Sequence, residues 1–177
     1  MTKENYENII IVKDSIVDFE GDAVVNAANI HLSDGRGVCG AIFDAAGNYE
    51  LGEACRKLGD QKIGSATITE GFKLKAKYII HTVGPIYDRL PNPEEVLAKA
   101  YKNTFDVAIK NNIKTIALPS ISTGIYGFPL EKACPIALKE IINRSKDFDK
   151  IAVYCYDDRT YNMYVKTLEE FKKLTRK

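Results

Sequence analysis

The chain alternates short apolar runs with longer segments in which apolar residues recur at the spacing of a helix. Six of the apolar runs are rich in Val, Ile, Thr or Tyr, and they are predicted strands at residues 8–12, 22–25, 66–69, 78–83, 114–118 and 150–156. Strands that alternate with helices are typical of α/β proteins. The pattern therefore predicts an α/β fold with helices on both faces of a mostly parallel or mixed sheet.

The helical segments lie between these strands and after the last of them. Asn92, followed by Pro93, is a favourable N-cap for the helix that comes next. Residues 38–58 also have the helical period, which is interrupted around Gly47. No repeat, low-complexity tract or linker divides the 177 residues, so we expect a single domain over residues 1–177.

Composition and charge narrow the range of partners. The chain has 25 Lys and Arg against 24 Asp and Glu, so we expect no nucleic-acid surface, and any nucleotide is expected to be a small ligand. Four cysteines without a C-x-x-C pair or zinc-ligand spacing indicate reduced thiols in a cytoplasmic protein and no metal site. No apolar run approaches the ~20 residues of a membrane span, and the polar N-terminus does not have the pattern of a secretion signal. We therefore expect a cytoplasmic protein without a membrane partner.

Two glycine-rich loops, each after an apolar strand, carry the strongest functional signal. The first glycine loop lies within residues 26–40, and the second glycine loop comprises residues 120–129. Glycine lets the backbone approach a ligand closely and turn its N–H groups towards it. A helix that begins beside such a loop adds unpaired donors and the positive end of its dipole. Two such loops that face each other indicate a diphosphate held between them.

Residues 35–40 match the G-x-G-x-x-G pattern of dinucleotide-binding proteins. In those proteins the motif follows its strand at once, whereas nine residues separate Val25 from Gly35. The expected acidic residue is also misplaced, because Asp60 lies just past a helix and Glu70 comes too late. A Walker loop is excluded because no Gly-Lys-Ser/Thr sequence follows either glycine loop. An oxidoreductase that uses NAD is therefore a distant alternative.

Four blocks of sequence, in order along the chain, resemble the signatures of the macro domain family. They are residues 26–29 with the glycine loop that follows, residues 45–47, residues 80–85 and residues 122–129. The resemblance extends from about Ile9 to Leu168. It implies a three-layer α/β/α fold with a central mixed sheet of about six strands. It also implies binding of ADP-ribose, free or attached to a protein, which many macro domains hydrolyse from ester linkages.

The resemblance places the adenine of the ligand at the ends of the first and last strands. Asp14 stands where a family aspartate accepts a hydrogen bond from the adenine amino group, and the backbone of Ser15 and Ile16 would lie beside the same ring. A carboxylate there favours adenine over guanine, which presents a carbonyl. Tyr156 stands where an aromatic residue packs against the adenine. The residues alone leave two alternatives open, with Asp14 as a turn former and Tyr156 as a core residue.

The resemblance places the diphosphate and the distal ribose between the glycine loops. Asn29 would hold the ribose hydroxyls through its amide, and Asn26 would either share in this or cap loop carbonyls. Tyr126 would line the diphosphate and the distal ribose. Backbone N–H groups would bind the phosphates from both sides, namely those of Gly35, Gly37 and Val38 and those of Ser122, Thr123, Gly124 and Ile125.

Three basic or polar side chains near these motifs have more than one interpretation. Arg36 stands where the family usually has a glycine, and its guanidinium would either bind the diphosphate bidentately or point into solvent. His81 lies in the middle of an apolar strand and is expected to be a hydrogen-bonded structural histidine rather than a general base. His31, which leads into the first glycine loop, is expected to be exposed.

Two positions weaken the case for catalysis. One class of macro-domain hydrolases has an aspartate at the position of Cys39 and a histidine at the position of Phe43. Without them no general base is evident, although Asp34 and Asp44 lie nearby as substitutes. Hydrolysis would then depend on Asn29, the candidate catalytic residue, and on loop backbone that holds a water in place. Cys39 itself is expected to be a small filler, because a nucleophile would need a basic partner.

The sequence therefore predicts binding of ADP-ribose in a cleft between the two glycine loops. We expect hydrolysis of ADP-ribosyl esters on modified Asp or Glu side chains, or deacetylation of O-acetyl-ADP-ribose. A module that binds ADP-ribose without turning it over is the alternative, and the sequence leaves open which of the two applies. The expected partners are ADP-ribose itself or an ADP-ribosylated protein or metabolite, and no cofactor is expected.

Overall fold

A computed structural model of the protein describes residues 6–176, and its strands follow the apolar runs of the sequence. The predicted domain over residues 1–177 therefore extends beyond the described residues at both ends. The strands are β1 (Ile9–Lys13), β2 (Ala23–Ala28), β3 (Ala66–Glu70), β4 (Tyr78–Val83), β5 (Thr115–Leu118) and β6 (Lys150–Cys155). The helices are α1 (Gly37–Ala46), α2 (Asn48–Leu58), α3 (Pro93–Lys110), α4 (Leu130–Arg144) and α5 (Asp158–Thr175).

The six strands form one mixed sheet in the order β1-β6-β5-β2-β4-β3. Neighbouring strands are parallel except for β3 and β4, which are antiparallel. The carboxyl ends of the parallel strands therefore lie at one edge of the sheet, which is where open α/β sheets bind their ligands. Since β2 lies between β5 and β4, the loops that follow these three strands meet at that edge.

Helices cover both faces of the sheet, and each face has its own apolar cluster. On one face α1 and α2 bury Phe43 and Leu51 against Val24 of β2. On the other face α3, α4 and α5 contribute to a second cluster, in which Leu138 of α4 lies with Val25 of β2. Consecutive strand residues point to opposite faces, so Val24 and Val25 join different clusters. The predicted three-layer α/β/α arrangement with a mixed sheet of six strands is confirmed.

The predicted end of β2 is wrong by three residues, and several other predicted strand bounds are wrong by one residue. The sequence pattern ends β2 at Val25, but the strand continues to Ala28 because it stays paired with β4 as far as Val83. The polar Asn26 does not end the strand, since its side chain finds a buried partner on β4. The pattern also extends β6 through Tyr156, whereas the strand stops one residue earlier and leaves Tyr156 in the connection to α5.

Helix boundaries follow the sequence with one correction. Gly47 separates α1 from α2 as predicted, and its φ of 109° lies in the region that favours glycine. Asn92 precedes α3 but does not cap it with its side chain, because its φ and ψ of −132° and 54° are not those of a capping residue. Its Nδ2 donates instead to Glu95 Oε2 at 3.2 Å. The side chain of Asp157 does cap α5 and accepts from the Thr160 N–H at 2.8 Å.

Within residues 6–176, no helix has both the length and the apolar character that a membrane crossing requires. In the same range, His, Cys, Asp and Glu side chains form no group of three that could hold a metal ion.

Candidate functional site

A cleft opens at the carboxyl ends of β2, β4 and β5, between the two glycine loops. Its volume is about 310 Å³. The lining residues are Ala27, Ala28, Asn29, Gly35, Arg36, Gly37, Val38, Cys39, Gly84, Ser120, Ile121, Ser122, Gly124, Ile125 and Tyr126. The first glycine loop supplies one wall and the second glycine loop supplies the other, so the two loops face each other as the sequence predicts.

The first turn of α1 lines the cleft with Gly37, Val38 and Cys39. Arg36 occupies the N-cap position but makes no side-chain cap bond, and the first turn contains no acidic residue. The N–H groups of this turn therefore have no partner within the helix, and the positive end of the helix dipole lies beside the cleft. Gly37 has a φ of 61°, which glycine adopts without strain. This wall is suited to an anion.

Arg36 is the one charged residue among those described that line the cleft. It is exposed, and its guanidinium makes no hydrogen bond or ion pair with any residue between 6 and 176. Arg56, by contrast, is an exposed arginine on α2 that pairs with Glu53. An unpaired guanidinium at an anion site can bind two phosphate oxygens at once.

Asn29 holds the start of the first glycine loop in shape. Its Oδ1 accepts from the N–H of His31 and the N–H of Ser33, both at 3.1 Å, and from Ser33 Oγ at 3.2 Å. Its Nδ2 donates to the Ser33 carbonyl at 3.0 Å. An amide nitrogen carries two hydrogens, so one donor remains for a ligand in the cleft that Asn29 lines.

The two carboxylates nearest this loop do not line the cleft. Asp34 Oδ1 accepts from the Gly35 N–H at 2.8 Å. This N–H is therefore already engaged, whereas the sequence predicts that it binds a phosphate. Asp44 is exposed on α1 and accepts from Asn48 Nδ2 at 2.9 Å. Neither carboxylate takes the place of a general base in the cleft.

Cys39 lines the cleft as a buried thiol. Burial, more than the nearby charge of Asp34, raises the pKa of Cys39 above its ordinary value, so the thiol is protonated at neutral pH. Its Sγ donates to the Ser33 carbonyl at 3.6 Å. Phe43, one turn further along α1, is buried in the apolar cluster below. The arrangement agrees with Cys39 as a small filler and disfavours a nucleophile.

The second glycine loop makes a tight turn around Ser122. Ser122 has a φ of 68°, which is uncommon for a residue with a side chain. The turn is closed by the Phe128 N–H, which donates to the Ser122 carbonyl at 2.9 Å, and by the Gly127 N–H, which donates to the Gly124 carbonyl at 3.0 Å. Ser122 Oγ is buried without a partner among the described residues. The hydroxyl lies against Gly84, at the end of β4.

The outer part of the second glycine loop forms the mouth of the cleft. Ile125 is 77% exposed, which is unusual for an isoleucine, and it lines the cleft beside Tyr126. The Tyr126 carbonyl accepts from the Tyr87 N–H at 2.9 Å. Burial, followed by the charge that Cys39 carries when it ionises, raises the pKa of Tyr126.

Asn26 lies beneath the cleft and is fully buried. Its Nδ2 donates to His81 Nδ1 at 3.1 Å, so the predicted alternative of capping loop carbonyls is wrong. The opposite ring nitrogen, Nε2, donates to Thr69 Oγ1 at 2.9 Å, and Thr69 Oγ1 donates in turn to the Glu70 carbonyl at 3.1 Å. Burial lowers the pKa of His81 to about 4, so the ring is neutral and structural as predicted.

The four residues predicted to bind adenine lie near one another but outside this cleft. Asp14, Ser15 and Ile16 follow β1, and Tyr156 follows the adjacent strand β6. Asp14 Oδ1 accepts from the Ser15 N–H at 2.7 Å, as in a turn, and Ile16 is buried. Tyr156 is 87% exposed, so its alternative role as a core residue is wrong. The ring is available to stack against a ligand on an open surface.

A comparison with protein families matches residues 25–137 to the model described as "Macro domain". The chain belongs to the macro domain family. A macro domain-containing protein of Chlorobaculum tepidum is 44% identical over 168 residues, which are 92% of this chain and 97% of that protein. The ADP-ribose glycohydrolase MACROD2 of Xenopus laevis is 43% identical over 171 residues, which cover 93% of this macro domain but only 41% of that longer protein.

Solved macro domains have the same fold. The Oceanobacillus iheyensis macrodomain with ADP superposes with a TM-score of 0.90 at 36% identity, covering 97% of this chain and 96% of that one. The Trypanosoma brucei macrodomain in complex with ADP-ribose has a TM-score of 0.83 at 33% identity, covering 91% of this chain and 69% of that one. The predicted family and its fold are thus confirmed.

The cleft of this macro domain contains most of the residues predicted for the phosphates and the distal ribose. Thr123 is close to it but turns its hydroxyl towards Ser120, and Asn26 lies below it. Sequence reasoning did not assign Gly84, Ser120 or Ile121 to the ligand, although all three line the cleft. Gly84 belongs to the 80–85 block that contributes to the family resemblance, and this block was the signal that could have indicated its place in the site.

Proposed function

We propose that this macro domain binds ADP-ribose, free or attached to a protein, and hydrolyses ADP-ribosyl esters. The observation that carries the proposal is the convergence of three anion-binding elements on one cleft. These are the uncapped start of α1, the unpaired guanidinium of Arg36 and the tight turn at Ser122. A diphosphate of two negative charges fits this arrangement, and relatives of the same fold have been solved with ADP and with ADP-ribose.

The adenosine half of the ligand would lie along the ends of β1 and β6. Asp14 keeps one carboxylate oxygen beyond the Oδ1 that holds the Ser15 N–H, and that oxygen would accept a hydrogen bond from the adenine amino group. Tyr156 would pack its exposed ring against the base. The distal ribose would lie at the other end, where Asn29, Cys39 and Tyr126 line the cleft.

We propose further that hydrolysis proceeds without a carboxylate general base on the protein. Cys39 and Phe43 stand where the family resemblance has an aspartate and a histidine, and neither supplies a base, since one is a protonated thiol and the other is apolar. Asn29 and the backbone of the first glycine loop would orient the attacking water, with a phosphate oxygen of the ligand as the group that accepts its proton. Positioning of this kind lowers a barrier substantially without a strong base.

Calorimetry and turnover together test the proposal. ADP-ribose and ADP should bind measurably and GDP should bind more weakly, because the carbonyl of guanine would face Asp14. Release of ADP-ribose from a mono-ADP-ribosylated acidic peptide, or of acetate from O-acetyl-ADP-ribose, should exceed the rate without protein. No binding of ADP-ribose would contradict the whole proposal, while binding without turnover would leave the module that only binds ADP-ribose.

Asn29 offers the sharpest variant for the catalytic step. Asn29→Ala should reduce turnover more than it reduces ADP-ribose affinity, because the side chain both shapes the loop and faces the reacting end of the cleft. Asn48→Ala on α2 removes an exposed amide of the same kind far from the cleft and serves as the matched control.

A further inference from the structure

Two buried tyrosines support the second glycine loop from below. Tyr101 belongs to α3 and Tyr164 belongs to α5, and each is only 1% exposed. Their rings lie in the apolar cluster on the face of the sheet opposite α1. A buried phenol hydroxyl needs a hydrogen-bond partner, so the position of these two hydroxyls is significant.

Both hydroxyls bind the beginning of the second glycine loop. The Ile121 N–H donates to Tyr101 Oη at 3.1 Å, and Tyr164 Oη donates to Ser120 Oγ at 3.0 Å. Thr123 Oγ1 adds a donor to Ser120 Oγ at 2.9 Å, which ties the far side of the turn to the same group.

These bonds control where the loop turns. The Ile121 N–H faces the core because Tyr101 accepts it, and Ser122 then reverses the chain at a φ of 68°. Such a backbone conformation costs about 1 kcal/mol or more and persists where its surroundings hold it. Gly124 and Ile125, which follow, are exposed and have no support from the core. Their direction therefore depends on how the start of the loop is held.

We propose that Tyr101 and Tyr164 are positioning residues that aim the N–H groups of residues 122–125 at a diphosphate in the cleft. The inference rests on the proposed binding of ADP-ribose and adds a role for α3 and α5, which do not themselves line the cleft. Neither tyrosine touches the ligand. Each acts through Ser120 or Ile121, which do line it.

Conservative variants test the proposal. Tyr164→Phe and Tyr101→Phe remove one hydroxyl each while keeping the ring in the core. Tyr161→Phe is the matched control on α5, because its hydroxyl makes no hydrogen bond with any residue between 6 and 176. Ser120→Ala and the double variant Ser120→Ala/Tyr164→Phe complete a cycle that measures whether Tyr164 acts through Ser120.

Calorimetry with ADP-ribose on the folded variants should show a loss of about five- to tenfold in affinity for each tyrosine variant, as one hydrogen bond would give, and none for Tyr161→Phe. Amide hydrogen exchange without ligand should accelerate across residues 121–125 in the two tyrosine variants. The double variant should lose no more affinity than the larger single variant. Wild-type affinity together with wild-type exchange in both tyrosine variants would overturn the proposal. It would also be overturned if the double variant lost as much affinity as the Ser120→Ala and Tyr164→Phe variants lose together.

The exchange measurement separates this inference from the proposed function. If the unaltered protein does not bind ADP-ribose, the proposed function fails. If the unaltered protein binds and the tyrosine variants change only the melting temperature, the two tyrosines are structural and the inference fails alone.

Discussion

A β-carbon on Gly84 would overlap the hydroxyl of Ser122, so the second glycine loop lies directly against the end of β4. The contact joins two of the sequence blocks on which the family resemblance rests. It also explains why a strand that ends at Val83 is followed by a residue without a side chain. The position of Ser122 in the cleft therefore depends on the absence of atoms at Gly84.

Substitution of Gly84 should disturb both stability and binding. Gly84→Ala forces Ser122 and Ile121 to move, and we expect a loss of about 1–3 kcal/mol in the free energy of unfolding, as for other overpacked sites. ADP-ribose affinity should fall as well. The matched control is Gly52→Ala in the middle of α2, where there is room for a methyl group and a gain of about 0.5–1 kcal/mol is expected. Urea denaturation measures the free energy of unfolding, and calorimetry measures the affinity for ADP-ribose. A Gly84→Ala protein with unaltered stability would contradict the packing described.

Removal of the Arg36 guanidinium should weaken diphosphate binding. Arg36→Ala should lower ADP-ribose affinity about tenfold, since a charge-assisted hydrogen bond contributes about 1.5–3 kcal/mol and exposure reduces this. The loss should shrink when the salt concentration rises from about 0.05 M to about 0.3 M, because salt screens exposed charges. Arg56→Ala, which removes an arginine paired on α2, should have no effect on affinity. If Arg36→Ala binds ADP-ribose as tightly as the unaltered protein at low salt, the side chain points into solvent.

Asp14 should set the preference for adenine. Asp14→Asn removes the negative charge, and we expect the ratio of ADP affinity to GDP affinity to fall by about tenfold, as for the loss of one charge-assisted bond. Asp44→Asn, an exposed carboxylate on α1, is the control and should leave the ratio unchanged. Titration of ADP and of GDP into both variants measures this ratio of affinities. An unchanged ratio in Asp14→Asn would assign Asp14 to the turn alone.

His81 should make stability depend on pH in the acid range. The pKa of His81 is about 4 in the folded protein and about 6.5 in the unfolded chain, so the unfolded chain binds the proton more readily between these values. The free energy of unfolding should therefore fall as pH decreases from about 6.5 to about 4, by roughly 3 kcal/mol, and stay level above this range. His81→Gln should be less stable at neutral pH but should flatten this dependence. Denaturation at several pH values measures the free energy of unfolding. An equally steep dependence on pH in His81→Gln would contradict the assignment of this dependence to His81.

Cys39 should be dispensable for turnover. Cys39→Ala should keep hydrolysis within about threefold of the unaltered protein, because burial holds the thiol protonated and unreactive. Iodoacetamide should also modify Cys39 slowly at neutral pH, more slowly still when ADP-ribose is present. A loss of more than about a hundredfold in Cys39→Ala would instead establish a chemical role for the sulfur.

Periodicity and turn chemistry predicted the fold and the two glycine loops from sequence alone. They did so because both depend on local patterns, namely the alternation at Val24 and Val25 and the glycines near Arg36. The end of β2 was missed because Asn26 is polar and its burial depends on His81, which is distant in sequence.

Other features of the site depend on contacts that no local pattern reveals. The sequence does not show that the Gly35 N–H is already engaged by Asp34, because this depends on a side-chain rotamer. Nor does it connect Tyr101 and Tyr164 to the second glycine loop, since α3 and α5 reach Ser120 and Ile121 only in the folded chain. Core packing accounts for both tyrosines equally well until the partners of their hydroxyls are known.

The buried row of Asn26, His81 and Thr69 has a consequence for how the sheet assembles. Asn26 and His81 stand directly opposite each other in the pairing of β2 with β4, and Thr69 reaches the same ring from β3. A shift of β4 by one residue would turn His81 to the opposite face of the sheet, away from Asn26 and Thr69. The apolar residues of these strands tolerate such a slip far better than the imidazole does. The histidine thus selects one alignment of three strands and, with it, brings Ala28 level with Val83 at the edge where the ligand is expected.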